Sequence, residues 1–356
     1  MPDSLVNRLA TWYAGEKHRY EFRLERNPYR TWITEIFLQQ TQIAAGKDKL
    51  KTFLKRFPDV KALAKGPVED VLAAFQGMGY YSRARNMHRA AVEIVKKYKA
   101  NVPVVYADLV KIPGIGHYTA AIVASIHGGE KILALDANHA RVLSRLYTIG
   151  AAQGGQAFRE AAVRAAAPLF ETKMPAGDVN EALMQWGQTI CKKKPLCDKC
   201  FAADFCAAFA AGRQADFPRK AERAEALEIL WLMLVHRKGN KYQVFANTGK
   251  FPFLAGELMF PSYTVLPETR SKKAAAETLM LPEKIPAALI RKSLAKAQNL
   301  PADFRHTITR YKIAVKMMFT DTSQPGGKFL TPAELKDKCH SSLMQKAIRR
   351  LDKLEF

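Results

Sequence analysis

One stretch decides the fold expected of this chain: Ile112-Pro113-Gly114-Ile115-Gly116-His117-Tyr118-Thr119-Ala120. Its Gly-x-Gly pattern predicts a tight turn at the end of one helix, and we expect a new helix to open at Thr119. Such a turn exposes backbone N–H groups at a helix N-terminus, where they can bind a phosphate. We therefore predict that Gly114 and Gly116 contact the backbone of a nucleic acid.

The sequence around this turn has the residue pattern of an all-α region. Through the first 190 residues, apolar side chains recur at helical spacing, as in Leu50, Phe53, Leu54 and Phe57. Short breaks between these segments carry Gly or Pro, for example at 57–59 and 101–103. We predict a helical region over residues 1–211.

The pattern changes near residue 227. The run ILWLMLV at 229–235 predicts a strand, and Gly239-Asn240 predicts a turn before the next one. Further strands are expected at 263–266 and 312–319, and helices at 274–281 and 343–354. We predict an α+β domain over 227–356, joined to the helical region by a polar, basic linker at 212–226.

Charge and composition point to a nucleic acid as the partner. The 356 residues include 56 Lys and Arg against 33 Asp and Glu, giving a net charge of +23. Residues 227–356 carry +11 and the rest +12, so both regions can neutralise phosphates. We see no secretory signal and no stretch reaching the ~18 apolar residues of a membrane span. We expect a monomeric, cytoplasmic protein that binds a nucleic acid.

Four of the five cysteines lie close together: Cys191, Cys197, Cys200 and Cys206. This crowding is unlike a secreted disulfide framework and suits either tetrahedral zinc or a cubane iron–sulfur cluster. The lysines at 192–194 suggest that the metal supports a phosphate-contacting loop. Cys339 stands apart, and we expect it to be inert.

Glu35 is the first candidate for catalysis. It lies in an apolar segment and shares a helix face with Gln39 and Gln42. Alone it would read as a solvated surface residue, but a polar stripe in so apolar a segment indicates a pocket. Partial desolvation disfavours the charged carboxylate, which suits Glu35 to donate a proton.

Asp136 is the second candidate. Alone it would read as the N-cap of a helix running to Leu146. The two roles are compatible, because a helix N-terminus keeps a carboxylate ionised. An ionised Asp opposite a protonated Glu is the arrangement that cleaves glycosidic bonds through an oxocarbenium-like transition state.

These segments resemble one known family. The strings NPYRTW (27–32), EIFLQQTQ (35–42) and GMGYYSRARN (77–86), with the hairpin at 112–120, are similar to the adenine DNA glycosylase (MutY) family. The resemblance runs from about residue 5 to 210. It implies a helix-hairpin-helix glycosylase domain, built of a six-helix barrel module and an iron–sulfur cluster domain with DNA in the cleft. A C-terminal Nudix-like domain of α+β class is implied beyond it.

The resemblance also implies catalytic roles. Glu35 would protonate adenine at N7, Asp136 would stabilise or trap the sugar cation, and Asn138 would position Asp136. Tyr118 occupies the place where the related endonuclease III enzymes carry a catalytic lysine. Without that amine no Schiff base forms, so a monofunctional enzyme is implied.

Other residues take substrate and cofactor roles by the same resemblance. Gln40 and Tyr80 match residues that probe and wedge the duplex once the base is flipped out, with Gln39 beside them. Arg23 and Glu181 match the adenine pocket. The ligands implied for a 4Fe–4S cluster are Cys191, Cys197, Cys200 and Cys206. The family usually has six residues between the first two cysteines and this chain has five, which leaves zinc as the alternative.

The implied partner is double-stranded DNA carrying an A·8-oxoguanine or A·G mispair. In the second domain, Phe304-Arg305-His306-Thr307 fits the start of the lesion-reading loop, but Ile308-Thr309-Arg310 replaces the usual Phe-Ser-His. Thr309 can still bond the lesion, and Arg310 can reach a phosphate or base edge.

Two alternatives remain open from the sequence. The first is a thymine or oxidised-pyrimidine glycosylase of the same superfamily, against which Glu35 argues because those enzymes lack this acid. The second is a non-catalytic DNA-binding repair scaffold, in which the two carboxylates are only structural.

Overall fold

A computed structural model describes residues 4–17, 20, 26–38, 43–75, 81–221, 226–247, 254, 256–265, 280–281, 301–308, 311–339 and 341–353. The chain divides into two units, Met1–Arg223 and Ala224–Phe356. The division falls inside the 212–226 segment predicted to be a linker. Over the residues described, no helix is long and apolar enough to cross a membrane.

The first unit is helical, as the 3.6-residue periodicity predicts. Its helices are α1 (Leu5–Glu16), α2 (Pro28–Leu38), α3 (Ile43–Arg56), α4 (Val60–Lys65), α5 (Val68–Ala74), α6 (Tyr81–Lys97), α7 (Tyr106–Leu109), α8 (His117–His127), α9 (Ala137–Leu146), α10 (Gln156–Ala166), α11 (Ala176–Thr189) and α12 (Ala207–Ala210). Short 3₁₀ turns lie at Ala167–Phe170, Cys197–Lys199, Ala203–Phe205 and Gln214–Asp216.

These helices bury two hydrophobic cores. Helices α2 to α7 and part of α8 surround one core, which contains Trp32, Phe37 and Phe53. Helices α1, α9, α10 and α11 surround the other, which contains Leu143 and Trp186. Since α8 also packs on α11, it joins the two groups of helices.

The hairpin predicted from Gly-x-Gly lies between α7 and α8. Gly114 has φ +89°, a conformation that favours glycine, and a Cβ there would come within 2.6 Å of Asn86 Cβ. Helix α8 begins at His117, two residues before the predicted start at Thr119. The reason is that Gly116 takes the extended N-cap conformation, and Thr119, in the first turn, is buried.

Part of the predicted linker packs on the helical unit. Phe217 is buried, its backbone oxygen accepts from Arg145 Nε, and Arg219 O accepts from Gln153 N. These contacts were not predicted, because the segment 212–220 is polar and basic and its partners lie far away in the sequence.

The second unit combines strands and helices. The strands are β1 (Leu227–Val235), β2 (Arg237–Lys238), β3 (Lys241–Ala246), β4 (Leu258–Met259), β5 (Ser262–Val265), β6 (Met280–Leu281), β7 (Phe304–Ile308), β8 (Tyr311–Phe319) and β9 (Lys328–Leu330). The helices are α13 (Pro332–Lys338) and α14 (Ser342–Leu351). In the described strands, one sheet has the order β6-β5-β1-β8-β7, while β2, β4 and β9 each pair with β3. Strands β1 and β8 are parallel, with Leu227 opposite Tyr311.

The combination of strands and helices predicted after residue 227 is thus observed, although strands β2, β4, β7 and β9 and helix α13 were not predicted. The helix expected at 274–281 does not extend to its predicted end, because Met280 and Leu281 pair as a strand with Tyr263 and Ser262. Residues 274–279 lie outside the described part of the chain.

Candidate active site

Glu35 and Tyr118 meet inside the helical unit. Glu35 lies on α2 and is half-buried, between the buried side chains of Thr34 and Ile36. The hydroxyl of Tyr118, on the first turn of α8, donates to Glu35 Oε2 over 2.7 Å. Burial raises the pKa of Tyr118 well above its usual value, and the charges of Glu35 and Asp136 raise it further. Tyr118 is therefore a fixed hydrogen-bond donor to Glu35.

Asp136 is the N-cap of α9, as its position before the helix predicts. Its Oδ1 accepts from the backbone N–H groups of Asn138 and His139, each over 2.8 Å, and lies 2.6 Å from His139 Nδ1. Burial alone raises the pKa of Asp136, but the bonds and charge of His139 outweigh it and hold the pKa below its usual value. Asp136 is therefore ionised at neutral pH.

Asn138 holds the other oxygen of Asp136. Its Nδ2 donates to Asp136 Oδ2 over 2.7 Å, and its Oδ1 accepts from Arg141 Nη2 over 2.6 Å. Arg141 also donates to the backbone oxygens of Gly187 and Cys191. A Cβ on Gly187 would come within 2.7 Å of Asn138 Cβ, so the glycine allows α11 to approach α9 closely. The sequence indicated Asn138 but missed Arg141, because the bonds of Arg141 to Gly187 and Cys191 join residues about 50 positions apart.

Glu181, on α11, is a third carboxylate near Glu35 and Asp136. It is buried, and its Oε2 accepts from Tyr13 Oη at 2.6 Å and from Arg26 Nη2 at 2.8 Å. Its charge also reaches Tyr118, where it raises the pKa of the hydroxyl. The predicted pocket partner Arg23 lies outside the described residues. Tyr13 and Arg26 were not identified from the sequence, since nothing local marks them.

Other predicted site residues are not placed. Gln39, Gln40 and Tyr80 lie outside the described part of the chain. Thr309 and Arg310 do too, although they fall in the connection between β7 and β8, whose strands pair up to Ile308 and Tyr311. The roles of these five residues stay predictions.

The hairpin glycines are exposed, as a phosphate contact requires. Gly116 is the N-cap of α8, and a Cβ at Gly116 would meet no atom within 4 Å. A phosphate can approach these backbone groups without a side chain in the way. Contact of Gly114 and Gly116 with DNA stays a prediction.

We expect Tyr118→Phe to lower the rate of the reaction without unfolding the protein. The change removes one bond to the protonated Glu35 carboxyl, which is worth about 0.5–1.5 kcal/mol, or roughly two- to tenfold in rate. Single-turnover kinetics of base release measures this loss.

Tyr29→Phe is the matched control. Tyr29 is buried and its Oη donates over 2.7 Å, but to the backbone oxygen of Phe57 in the core that contains Phe53. The Tyr29→Phe substitution should lower the midpoint of thermal unfolding and leave the rate of base release per folded molecule unchanged. Equal rate losses in both variants would contradict a specific role for Tyr118.

The four clustered cysteines line one cavity. Cys191, Cys197, Cys200 and Cys206 surround it together with apolar side chains that include Trp186 and Leu196. Burial raises the pKa of the Cys191, Cys200 and Cys206 thiols. Within the residues described, no group of three or more His, Cys, Asp or Glu side chains could hold a single metal ion. Four cysteine thiolates are the ligand set that either a tetrahedral zinc ion or a 4Fe–4S cluster takes.

Arg145, on α9, binds the segment that carries the four cysteines (191–206, the cysteine segment). It is buried and donates to the backbone oxygens of Lys192, Lys193, Gln214 and Phe217, and to Cys191 Sγ over 3.4 Å. All three guanidinium nitrogens of Arg145 have acceptors, so its removal would leave several backbone carbonyls, one of them buried, without this donor.

We therefore expect Arg145→Gln to destabilise the helical unit by at least about 3 kcal/mol. Urea unfolding followed by circular dichroism measures the change. The control is Arg213→Gln, which removes a half-exposed ion pair with Asp216 and should cost at most about 1 kcal/mol. Similar losses in the two variants would refute the role given to Arg145.

The chain is similar to proteins of DNA repair. Residues 33–168, which include Glu35, Tyr118 and Asp136, match the HhH-GPD superfamily base excision DNA repair protein family. The solved structure of a thermostable thymine-DNA glycosylase has a TM-score of 0.51 and 26% identity, covering 58% of this chain and 95% of that protein. The helical unit therefore has the fold of the helix-hairpin-helix glycosylases.

Two relatives narrow the class to a family. An adenine DNA glycosylase of Mus musculus is 27% identical over 399 residues, covering 96% of this chain and 76% of the mouse protein. One of Buchnera aphidicola subsp. Acyrthosiphon pisum (strain APS) is 30% identical over 238 residues, covering 65% of this chain and 67% of that protein. The chain belongs to the adenine DNA glycosylase family, which confirms the resemblance seen in its sequence.

Proposed function

We propose that this protein is a monofunctional DNA glycosylase that flips adenine out of a mispair and hydrolyses its glycosidic bond. One observation carries the proposal. Tyr118 donates to Glu35, and the charges of both Glu35 and Asp136 raise the pKa of its hydroxyl. An acid held by hydrogen bonding and an ionised Asp at a helix N-terminus provide the two groups that glycosidic cleavage requires.

Glu35 acts as the general acid. The Tyr118 hydroxyl donates to Oε2 and orients the protonated carboxyl, whose proton passes to adenine N7. Protonation withdraws electrons from the ring, and the C1′–N9 bond breaks with its electron pair going to the base. Tyr118 remains protonated throughout and keeps the carboxyl oriented.

Asp136 acts on the sugar. Departure of the base leaves positive charge on C1′ and the ring oxygen, and the Asp136 carboxylate stabilises or traps that cation. Addition of water to C1′, with loss of one proton, gives the abasic site. Asn138 keeps Oδ2 in place while this charge develops.

The reaction stops at the abasic site because Tyr118 has no amine to form a Schiff base. The DNA strand should stay intact until alkali is added, and borohydride should trap no covalent complex. Wild-type protein that cleaves the strand by itself would contradict this part of the proposal.

The base opposite adenine is proposed to be 8-oxoguanine or guanine, read by a Nudix-like second unit. Support comes from a mixed sheet flanked by α13 and α14, and from Thr309 and Arg310 between β7 and β8. A cytoplasmic location beside the nucleoid, where such DNA lies, remains part of the proposal.

The cofactor is proposed to be a 4Fe–4S cluster held by Cys191, Cys197, Cys200 and Cys206. When bound, it would tie the chain between the first and last of these cysteines to α9, where Arg145 donates to Cys191 Sγ. A brown preparation with broad visible absorption and equal iron and sulfide would support it. Stoichiometric zinc without iron would contradict the cluster and identify a zinc site instead.

Base release from three duplexes tests the proposed function. With A·8-oxoguanine, A·G and T·G duplexes side by side, we expect free adenine from the first two and no thymine from the third. The thymine-DNA glycosylase likeness makes T·G the informative comparison. Thymine release without adenine release would favour that second function, and DNA binding without any release would favour a repair scaffold.

A further inference from the structure

His139 is a buried histidine in direct contact with Asp136. It lies on α9, and its side chain is 0% exposed. Its Nδ1 is 2.6 Å from Asp136 Oδ1, and its Nε2 is 3.0 Å from the backbone oxygen of Asn180 on α11. A buried polar ring needs partners for both nitrogens, and His139 has them.

Both partners of the ring are hydrogen-bond acceptors. A backbone oxygen can only accept, so Nε2 must carry a proton. Asn180 is itself fixed, because its side chain bonds Ser125, Ile132 and Ala134. The ring therefore cannot turn away from this carbonyl without losing a buried bond.

The proton state at Nδ1 depends on Asp136. Oδ1 already accepts two backbone N–H bonds, which favour a carboxylate over a carboxylic acid. An ionised Oδ1 cannot donate, so the short contact to Nδ1 needs a proton on the ring. Both nitrogens of the His139 ring are therefore placed to donate, one to Asp136 and one to Asn180.

The other ionisable groups near α9 are accounted for. On α9 itself, Arg141 bonds Asn138. Glu181 on α11 is paired with Arg26, and Tyr118 on α8 bonds Glu35. Helix α12 has no ionisable side chain, those of α10 are exposed, and Arg145 faces the cysteine segment. In the described part of the chain, the hydrogen bonds of the His139 ring go to Asp136 and to the backbone oxygen of Asn180, and not to any of these groups.

We propose that His139 is a positioning residue whose imidazolium fixes Asp136 Oδ1 and leaves Oδ2 as the oxygen that meets the sugar cation. Oδ1 takes three donors, whereas Oδ2 accepts only from Asn138 Nδ2 in the described structure. This role rests on the proposed function. It deepens that function by assigning the reacting oxygen and the group that keeps it ionised.

Two substitutions test the two hydrogen bonds of the His139 ring one at a time. His139→Asn places an amide nitrogen near Nδ1 and can still donate to Asp136. His139→Gln places one near Nε2 and can donate only to Asn180. Single-turnover rates on the A·8-oxoguanine duplex are compared from acidic to neutral pH, together with binding of an uncleavable duplex.

We expect His139→Gln to lose about tenfold or more in rate, as outer-shell partners of reacting groups do, with DNA binding unchanged. Its acid-side inflection should move to higher pH, because Asp136 loses the donor that holds its pKa down. His139→Asn should stay closer to wild type in both respects. Equal rate losses with an unmoved inflection would overturn the proposal and leave His139 a structural residue.

A measurement on the wild-type protein is independent of activity. The chain has eight histidines, and long-range ¹H–¹⁵N spectra distinguish an imidazolium from each neutral tautomer. We expect one imidazolium at neutral pH whose signal changes in Asp136→Asn. Its absence would overturn the proposal even if adenine is released, whereas its presence without adenine release would place the failure in the proposed function.

Discussion

Replacing Glu35 by Gln should lower the single-turnover rate of adenine release by about 10²–10⁴-fold, the contribution typical of a general acid. The amide keeps the size of the side chain and can still accept from Tyr118, but it has no proton acidic enough to pass to the base. Because the fold and the hairpin are untouched, the affinity for an uncleavable mispaired duplex should stay near that of wild type.

Glu171→Gln is the control for this change. Glu171 is largely exposed, in an ion pair with Lys131, and lies outside the group of residues around Tyr118. Its rate should match wild type within experimental error. A Glu35→Gln enzyme with full activity would show that another group protonates the base.

Replacing Asp136 by Asn should lower the rate by about 10²–10³-fold, the loss expected when charge stabilisation of a transition state is removed. Asn is as good an N-cap as Asp, so the start of α9 should survive. The loss therefore reports the missing negative charge opposite the sugar cation, and thermal unfolding should confirm that the protein remains folded.

Asp59→Asn is a control with the same chemistry. Asp59 is the N-cap of α4 and accepts from Ala62 N over 2.8 Å, as Asp136 does from its own helix. The control should change neither the rate nor the DNA affinity. If the two substitutions reduced activity alike, the loss would come from helix capping rather than from charge.

Much of the site could be predicted from the sequence because its parts have local signals. Asp136 precedes a helix, four cysteines recur within 16 residues, and Gly114 stands in a turn that requires positive φ. Such features depend on neighbours in the chain, so spacing alone reveals them. The hydrogen bond from Tyr118 to Glu35 was not predicted, since 83 positions separate the two residues and no local pattern joins them.

The residues that were missed act through tertiary contacts. Arg26 and Tyr13 reach Glu181 across more than 150 positions, and His139 reaches Asn180 across 41. A histidine within a helix gives no sign that both of its nitrogens will face acceptors. In the second unit, strands β1, β3, β5 and β8 were predicted but their order was not, because parallel pairing of β1 with β8 joins segments about 80 residues apart.

The most direct test of the two-carboxylate mechanism is the pH dependence of adenine release from an A·8-oxoguanine duplex under single turnover. Activity should appear as pH rises through the depressed pKa of Asp136, which must be ionised, and should fall at higher pH as Glu35 loses its proton. Glu35→Gln should abolish the fall on the alkaline side along with most of the rate. A wild-type profile that stays flat across both limbs, or an alkaline limb retained in Glu35→Gln, would contradict the assignment of Glu35 as acid and Asp136 as the ionised partner.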